Sequence, residues 1–341
     1  MVMGSHSRRD IRCQWLKACV VVSGFALLCA AVALSGWPSG TRAADDGDFT
    51  SYLPLAMKFI PTPTPIGGGR IAFESNRRGP EMFEIYTMNS DGSDLRQVTS
   101  LGWYSRDASW SPDYTRIVFD SGSQGDESDR EIYVMNADGS GRRRLTDNGV
   151  KDYDPSWSPD GTRIAFASWR SGNWDIWSMN TSGGALVNLT ARVGRDLDPC
   201  WSPDGTKIVF SSMYLEDDYE IWVMNADGSG KTKLTGNSAD DWDPSWSSDG
   251  TRIAFESDRD GDIEIWVMNT DGSGAHNLTN HPASDGDPSW MNGAERIVFA
   301  STRSGNGDIY IMNSDGTGVT PLTWDSAVAV DADACARPGC P

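Results

Sequence analysis

Asp243-Pro-Ser-Trp246-Ser-Ser-Asp-Gly250-Thr-Arg-Ile253-Ala-Phe255-Glu-Ser257 reads as two short strands joined by a tight turn. Ile253 and Phe255 alternate with smaller or polar neighbours, the period of two that a half-buried strand requires. Asp249-Gly250 supplies residues that tolerate the positive φ of such a turn. Downstream, Ile263-Glu-Ile265-Trp-Val267-Met-Asn269 alternates in the same way, Asp271-Gly272 turns the chain again, and Asn277-Leu278-Thr279 completes the unit. The unit is four short strands; nothing in it is long and periodic enough to be a helix.

The unit recurs along the chain. Its Met-Asn pair places Asn at Asn89, Asn136, Asn180, Asn225, Asn269 and Asn313, at successive intervals of 47, 44, 45, 44 and 44 residues. A four-stranded antiparallel unit of this size cannot bury both faces alone, so the copies must stack, and radial stacking of such units is a propeller. The expected fold class is all-β: a six-bladed β-propeller of four-stranded antiparallel blades. Trp110, Trp157, Trp201, Trp246 and Trp290 share one position of the repeat, and Tyr86, Tyr133, Trp177, Trp222, Trp266 and Tyr310 share another. Both sets are expected in the core between blades.

The Trp-Ser-Pro-Asp-Gly-x-Arg-Ile-Ala-Phe and Ile-Trp-x-Met-Asn-x-Asp-Gly runs resemble the WD40-like (PD40) repeats of TolB-type propellers, from Arg70 onward. The resemblance implies the fold. It does not name a function, because such propellers serve many purposes.

The first copy begins at Arg70-Ile71-Ala72-Phe73 and lacks the Trp-bearing strand that precedes this run in every later copy. In the tail, Asp331-Ala-Asp333-Ala-Cys335-Ala-Arg-Pro338 echoes Asp152-Tyr-Asp154-Pro-Ser156-Trp-Ser-Pro159, with two extra residues in the connection. The tail is therefore expected to supply the inner strand of blade one and close the ring.

Ahead of the repeats, Arg8, Arg9, Arg12 and Lys17 precede an uncharged run from Ala18 to Thr41, the pattern of an export signal; the run is also long enough for an uncleaved anchor. Residues 1–44 are read as that signal or anchor, 45–69 as a Pro/Thr/Gly-rich linker and 70–341 as the propeller. The linker stands where TolB carries a separate N-terminal domain. An exported location follows: periplasmic, cell-surface or extracellular. Of six cysteines, only Cys200, Cys335 and Cys340 fall in the propeller, and Cys335 and Cys340 are spaced to form a disulfide across a Pro-Gly turn. The net charge of −19 argues against nucleic acid and against anionic membrane surfaces.

Asp107, Asp154, Asp198, Asp243 and Asp287 each precede a Trp-bearing strand, and Asp152, Asp196, Asp241 and Asp285 double four of them; Asp331 and Asp333 repeat the pair in the tail. Inner strands line the axis of a propeller, so these carboxylates are expected near one mouth of the channel. Two readings stand: each Asp caps its own turn, or the ring holds Ca²⁺ or Mg²⁺ on hard oxygen ligands. A Ser-x-Arg-x-Gly motif recurs at Arg77, Arg170, Arg259 and Arg303, with an acid opening the next strand at Glu84, Glu131, Asp175, Glu220, Glu264 and Asp308. Repetition makes these structural, whereas a functional site should break the symmetry. The least regular connections, 122–130 and 213–218, are the better candidates for partner contact.

Catalytic parts are scarce. There is no Gly-x-Ser-x-Gly motif, and beyond the N-terminal segment the histidines are His276 and His281. The expected function is a monomeric, non-catalytic scaffold that needs no cofactor, binds a protein or cell-envelope component, and meets the membrane only through the N-terminal segment. The alternative is a cation-dependent carbohydrate-active propeller, a lyase or glycosidase, working through the mouth aspartates.

Overall fold

The alternating runs form strands where the sequence places them. The computed structural model describes residues 69–334, apart from 80–81, 103, 124–125, 216, 292 and 325–326. The expected signal, the linker up to residue 68 and the Cys335–Cys340 bridge lie outside the described residues.

In chain order the strands are β1 (Arg70–Ser75), β2 (Glu84–Asn89) and β3 (Arg96–Gln97) in blade one, and β4 (Ser105–Trp110), β5 (Arg116–Ser123), β6 (Asp126–Asn136) and β7 (Arg143–Arg144) in blade two. Blade three holds β8 (Asp152–Trp157), β9 (Arg163–Ser168), β10 (Asp175–Asn180) and β11 (Val187–Asn188). Blade four holds β12 (Asp196–Trp201), β13 (Lys207–Ser212), β14 (Glu220–Asn225) and β15 (Thr232–Lys233). Blade five holds β16 (Asp241–Trp246), β17 (Arg252–Ser257), β18 (Glu264–Asn269) and β19 (His276–Asn277). Blade six holds β20 (Asp285–Trp290), β21 (Arg296–Ser301), β22 (Asp308–Asn313) and β23 (Thr320–Pro321), and β24 (Ala329–Ala334) ends the described chain. They make six four-stranded antiparallel sheets, a six-bladed propeller.

The core lies between blades, as the repeated aromatics require. Val118, Ile132, Val134 and Leu145 of blade two pack on Trp157, Ile164, Phe166 and Met179 of blade three, and Ala254, Ile265 and Val267 of blade five pack on Trp290, Ile297 and Phe299 of blade six. All five inner-strand tryptophans are buried.

The ring closes through the tail. β24 pairs antiparallel with β1, giving the order β24-β1-β2-β3. The register corrects the sequence alignment by two residues. Ala329 faces Ser75 and Ala334 faces Ile71, as Asp285 faces Ser301 and Trp290 faces Ile297 in blade six. Asp331 therefore matches Asp287 rather than Asp285, and Asp333 matches Ser289. The connection has no extra residues: Thr323 to Ala329 is six positions, as is Thr279 to Asp285. A slip of two keeps every side chain on its face of the sheet, so alternation alone could not detect the error.

Candidate functional site

The doublet aspartates enter two different environments. The first of each pair, Asp152, Asp196, Asp241 and Asp285, opens its inner strand fully buried and accepts a hydrogen bond from the last serine of the second strand, Ser168, Ser212, Ser257 or Ser301. An arginine closes the pair: Arg170 Nη2 to Asp152 at 2.7 Å, Arg192 Nη2 to Asp196 at 3.2 Å, Arg259 Nη2 to Asp241 at 2.8 Å and Arg303 Nη2 to Asp285 at 2.6 Å. Each guanidinium also lies over a Phe and a Trp or Tyr of its own blade, as Arg259 does over Phe255 (5.4 Å) and Trp266 (4.3 Å). Burial raises the Asp152 and Asp196 carboxyls above the ordinary aspartate value, and the serine and arginine partners oppose it. In blades three, five and six the strand-opening aspartate and the Ser-x-Arg motif are thus one structural device. Blade four has no Ser-x-Arg and takes Arg192 from the preceding connection instead.

The second aspartates, Asp107, Asp154, Asp198, Asp243, Asp287 and Asp331, share a left-handed backbone, with φ of 49°, 53°, 54°, 48°, 53° and 49°. They sit at the register shift of each inner strand, a bulge that Asp tolerates better than most residues. The second-strand residue just before the serine that faces Glu84, Glu131 or their equivalents in the next strand is itself an acid in three blades, Glu74, Asp120 and Glu256, and Ala167, Ser211 or Ala300 in the others. In two cases the acid meets the bulge aspartate of its own blade and that of the following blade. Asp107, Asp120 and Asp154 bring carboxylate oxygens within 4.8 Å of one another, and so do Asp243, Glu256 and Asp287. The third acid, Glu74, is hydrogen-bonded to Asp331 and feels the charge of Asp107.

Arginines serve two of these triads. Arg130, within β6 and just before Glu131, pairs with Asp120 and, at 3.0 Å, with Asp107, under the ring of Tyr153 at 4.3 Å. Burial opposes the Arg130 charge, but Asp120 and Asp107 outweigh it and hold the guanidinium protonated. Burial likewise pushes Asp120 well above the ordinary range, against the pull of Arg130. Arg106 lies 4.0 Å from Glu74, whose carboxyl burial pushes up to about 7. Divalent cations suit three converging carboxylates, so either complete triad could hold Ca²⁺ or Mg²⁺ in principle. Arg130 already neutralises the first.

The same end of the channel carries the least symmetric surface. In blades one, five and six the residue after the second strand, Asn76, Asp258 or Thr302, accepts an N–H from the connection beside it, given by Val328, Asp240 or Ser284. Blades three and four replace that residue with Trp169 and Met213. Trp169 packs edge-on against Trp174, which stacks on Tyr153 at 4.8 Å, yet Trp169 is 40% exposed. Val193, in the connection entering β12, and Leu215, in the connection leaving β13, are 67% and 76% exposed. Of the two irregular connections, 213–218 supplies Leu215, while in 122–130 the pairing of β5 and β6 extends to Ser123 and Asp126.

At the tryptophan end, Ser109, Ser156, Cys200, Ser245, Ser289 and Asp333 line a cavity of about 90 Å³. Ser245 accepts from Trp290 N (3.4 Å), Ser289 from Ala334 N (3.0 Å) and Asp333 from Trp110 N (2.9 Å), each tying one blade to the next. Burial pushes the Cys200 thiol up to about 12, far from a reactive thiolate.

A family profile described as the TolB β-propeller domain, PD40, matches residues 124–214, 189–277 and 259–338. The chain belongs to this family. Among solved structures it is similar to TolB from Acinetobacter baumannii, with a TM-score of 0.68 and 23% identity over 78% of this chain and 66% of that one. It is similar to a TolB from Agrobacterium tumefaciens, with a TM-score of 0.63 and 22% identity over 75% of this chain and 90% of that one. It is also similar to Kuenenia stuttgartiensis hydrazine synthase, with a TM-score of 0.65 and 17% identity over 78% of this chain and 46% of that one. The chain thus spans about two thirds of the A. baumannii protein, and these likenesses concern the fold. A comparison with curated proteins finds no match.

Within this TolB-type propeller, sequence reading located the bulge aspartates but missed Glu74, Asp120 and Glu256, which occur in only three blades. It also missed Arg106, Arg130 and Arg192, which occupy positions that are not arginine elsewhere. A position-by-position comparison of the six copies would have exposed all of them as departures from the repeat.

Proposed function

We propose that this chain is an exported, non-catalytic scaffold that binds a protein of the cell envelope through the mouth carrying the aspartate doublets. The observation that carries this reading is the exposed group Trp169, Val193 and Leu215, on connections of blades three and four, where blades one, five and six place residues that hydrogen-bond their neighbours. An exposed tryptophan on one connection and exposed aliphatic side chains on those of the next blade have the make-up of a binding hot spot. The TolB-type fold supports a binding role, and the scarcity of histidine and the absence of a nucleophile motif in the sequence support a non-catalytic one. Export rests on the charged-then-apolar pattern of residues 1–44. The test is cross-linked capture from envelope extract by the full chain and by a Trp169→Ser/Leu215→Ser variant. Selective capture of one partner, reduced at least about tenfold by the double substitution, is expected; equal capture by both chains contradicts the assignment.

The second reading, carbohydrate chemistry dependent on Ca²⁺ or Mg²⁺, is favoured by one observation: the convergence of Asp243, Glu256 and Asp287. Calorimetry with Ca²⁺ followed by a glycan panel tests it; no heat and no glycan turnover dispose of it.

A further inference from the structure

At the mouth that carries the aspartate doublets, the residue after the second strand donates its backbone N–H to the residue before the inner strand. Asn76 gives to Val328 O, Trp169 to Lys151 O, Met213 to Arg195 O, Asp258 to Asp240 O and Thr302 to Ser284 O. In blades one, five and six the side chain of the first residue accepts an N–H in return, from Val328, Asp240 or Ser284. An indole has no acceptor and a thioether only a weak one, so Trp169 and Met213 do not make this return bond. Blades three and four have given it up, and each has a cation across from the large apolar side chain: Lys151 opposite Trp169, Arg195 opposite Met213. Both positions change together, in two neighbouring blades.

The connections that carry these residues form one surface. Trp169 meets Trp174 edge-on at 5.6 Å, and the adjacent Asn173 Nδ2 donates to Arg192 O at 2.6 Å. Gly194 lies so near the next connection that a Cβ on it would stand 2.9 Å from Met213 O. The connection bearing Val193 thus runs between those bearing Trp169 and Leu215, and all three side chains are exposed. Arg170 and Arg192 are held by Asp152 and Asp196. Lys151 and Arg195 make no ion pair among the described residues; Lys151 Nζ lies 5.8 Å from the centre of the Tyr153 ring, and both side chains are partly exposed. The acids of the 213–218 connection follow Leu215, on the approach to β14, and blade five places Asp240 and Asp258 at the two positions compared. In a chain of net charge −19, two cations with no carboxylate partner beside exposed tryptophan, valine and leucine set this part of the mouth apart.

We infer that this surface receives a segment of a partner protein in which carboxylates flank aromatic or long aliphatic side chains, the carboxylates pairing with Lys151 and Arg195 while the apolar groups cover Trp169, Val193 and Leu215. Apolar cover excludes water and so strengthens the charge pairs beside it. A peptide fits better than an anionic bilayer or a polyanionic glycan. Extended negative charge meets the repulsion of the whole chain, whereas a few carboxylates set among apolar groups meet mainly the two local cations. The inference rests on the reading of this mouth as the binding face and names the chemistry of the partner there.

The experiment titrates the full chain with acetyl-Glu-Leu-Glu-Trp-Glu-Leu-amide and with its counterparts carrying glutamine or lysine in place of glutamate, following amide shifts by NMR. Saturable binding is expected, tightest for the glutamate peptide and weakest for the lysine one, with shifts centred on the connections of blades three and four. Lys151→Glu/Arg195→Glu installs at both positions the charge that Asp240 carries in blade five, and its melting temperature should match that of the unaltered chain. It should weaken the glutamate peptide at least about tenfold and make the lysine peptide the tighter ligand. No saturable binding by any of the three, an order independent of charge, or an order unchanged in the charge-reversed variant would each overturn the assignment. Binding to phosphatidylglycerol vesicles that the same variant abolishes would replace the peptide by a bilayer. Envelope capture lost in Trp169→Ser/Leu215→Ser but unchanged in the charge-reversed variant removes the acidic partner and leaves the binding face. Capture unaffected by Trp169→Ser/Leu215→Ser, with the peptide order as expected, removes the envelope partner and leaves the peptide site.

Discussion

Asp333 stands where blades two, three, five and six place Ser109, Ser156, Ser245 and Ser289, and it accepts from Trp110 N as Ser245 and Ser289 accept from their neighbours. The carboxylate at this position has a consequence the serines lack. Burial raises it from an ordinary 3.8 to about 6, opposed by the hydrogen bonds from Trp110 and Ser289. An acid whose folded pKa lies above its unfolded value holds its proton more tightly when folded, so its contribution to stability is complete below about pH 4 and is lost as the pH rises through 6. Glu74, pushed by burial to about 7, acts in the same direction. Asp333→Ser, restoring the residue of the other blades, is expected to change stability little near pH 4 and to add about 2–3 kcal/mol at pH 7.5, because each tenfold difference in proton affinity between the folded and unfolded chain is worth about 1.4 kcal/mol. Urea unfolding at the two pH values checks this; a gain independent of pH would contradict it.

At the scale of the strand and turn, the Asp-Gly signals were legible as tight turns, but what each glycine must avoid was not. Gly272, between β18 and β19, has φ +85°, and a Cβ there would stand 2.4 Å from the carbonyl oxygen of Leu234 in the preceding blade. Gly261, between β17 and β18, has φ +104° and open space around it. The backbone cost of alanine, about 1–2 kcal/mol, applies to both, and the collision with a neighbouring backbone adds about 1–3 kcal/mol at Gly272 alone. Gly272→Ala should therefore destabilise by roughly twice as much as Gly261→Ala in matched denaturant melts. Equal losses would mean that the blade edge yields. The same distinction explains the doublets. Their repetition was visible in the sequence, yet only the register shows that one aspartate opens the strand beside an arginine and the other turns the bulge. Two carboxylates two residues apart look alike until the bulge rotates one of them.

For the whole ring, periodicity determined the number of blades and the missing inner strand of blade one implied that the tail must return, both without coordinates. The candidate site was far less legible, because its parts are the exceptions: Glu256 where two other blades have alanine, Gly286 where others have Arg106, Tyr153 or Trp242, and Trp169 where others have a hydrogen-bonding side chain. A repeat advertises what stabilises every blade and conceals what only one blade does. Closure depends on the shared part. Ala329, Ala332 and Ala334 of β24 lie buried against Ile71 and Phe73 of blade one and Val298 and Ile311 of blade six, and Asn76 and Val328 exchange hydrogen bonds at 3.1 and 2.9 Å. Truncation after Trp324 removes that strand, leaves β1 as an open edge and exposes Ile71 and Phe73 to water. Those two side chains alone account for about 3–6 kcal/mol, a large share of the roughly 5–15 kcal/mol that holds a typical domain folded. At about 2–4 °C per kcal/mol, the melting temperature should fall by about 10 °C or more. Calorimetry of the truncated chain decides the matter: an unchanged melting temperature would mean that the blades hold the ring by packing alone, and that the strand joining the two ends of the propeller is dispensable.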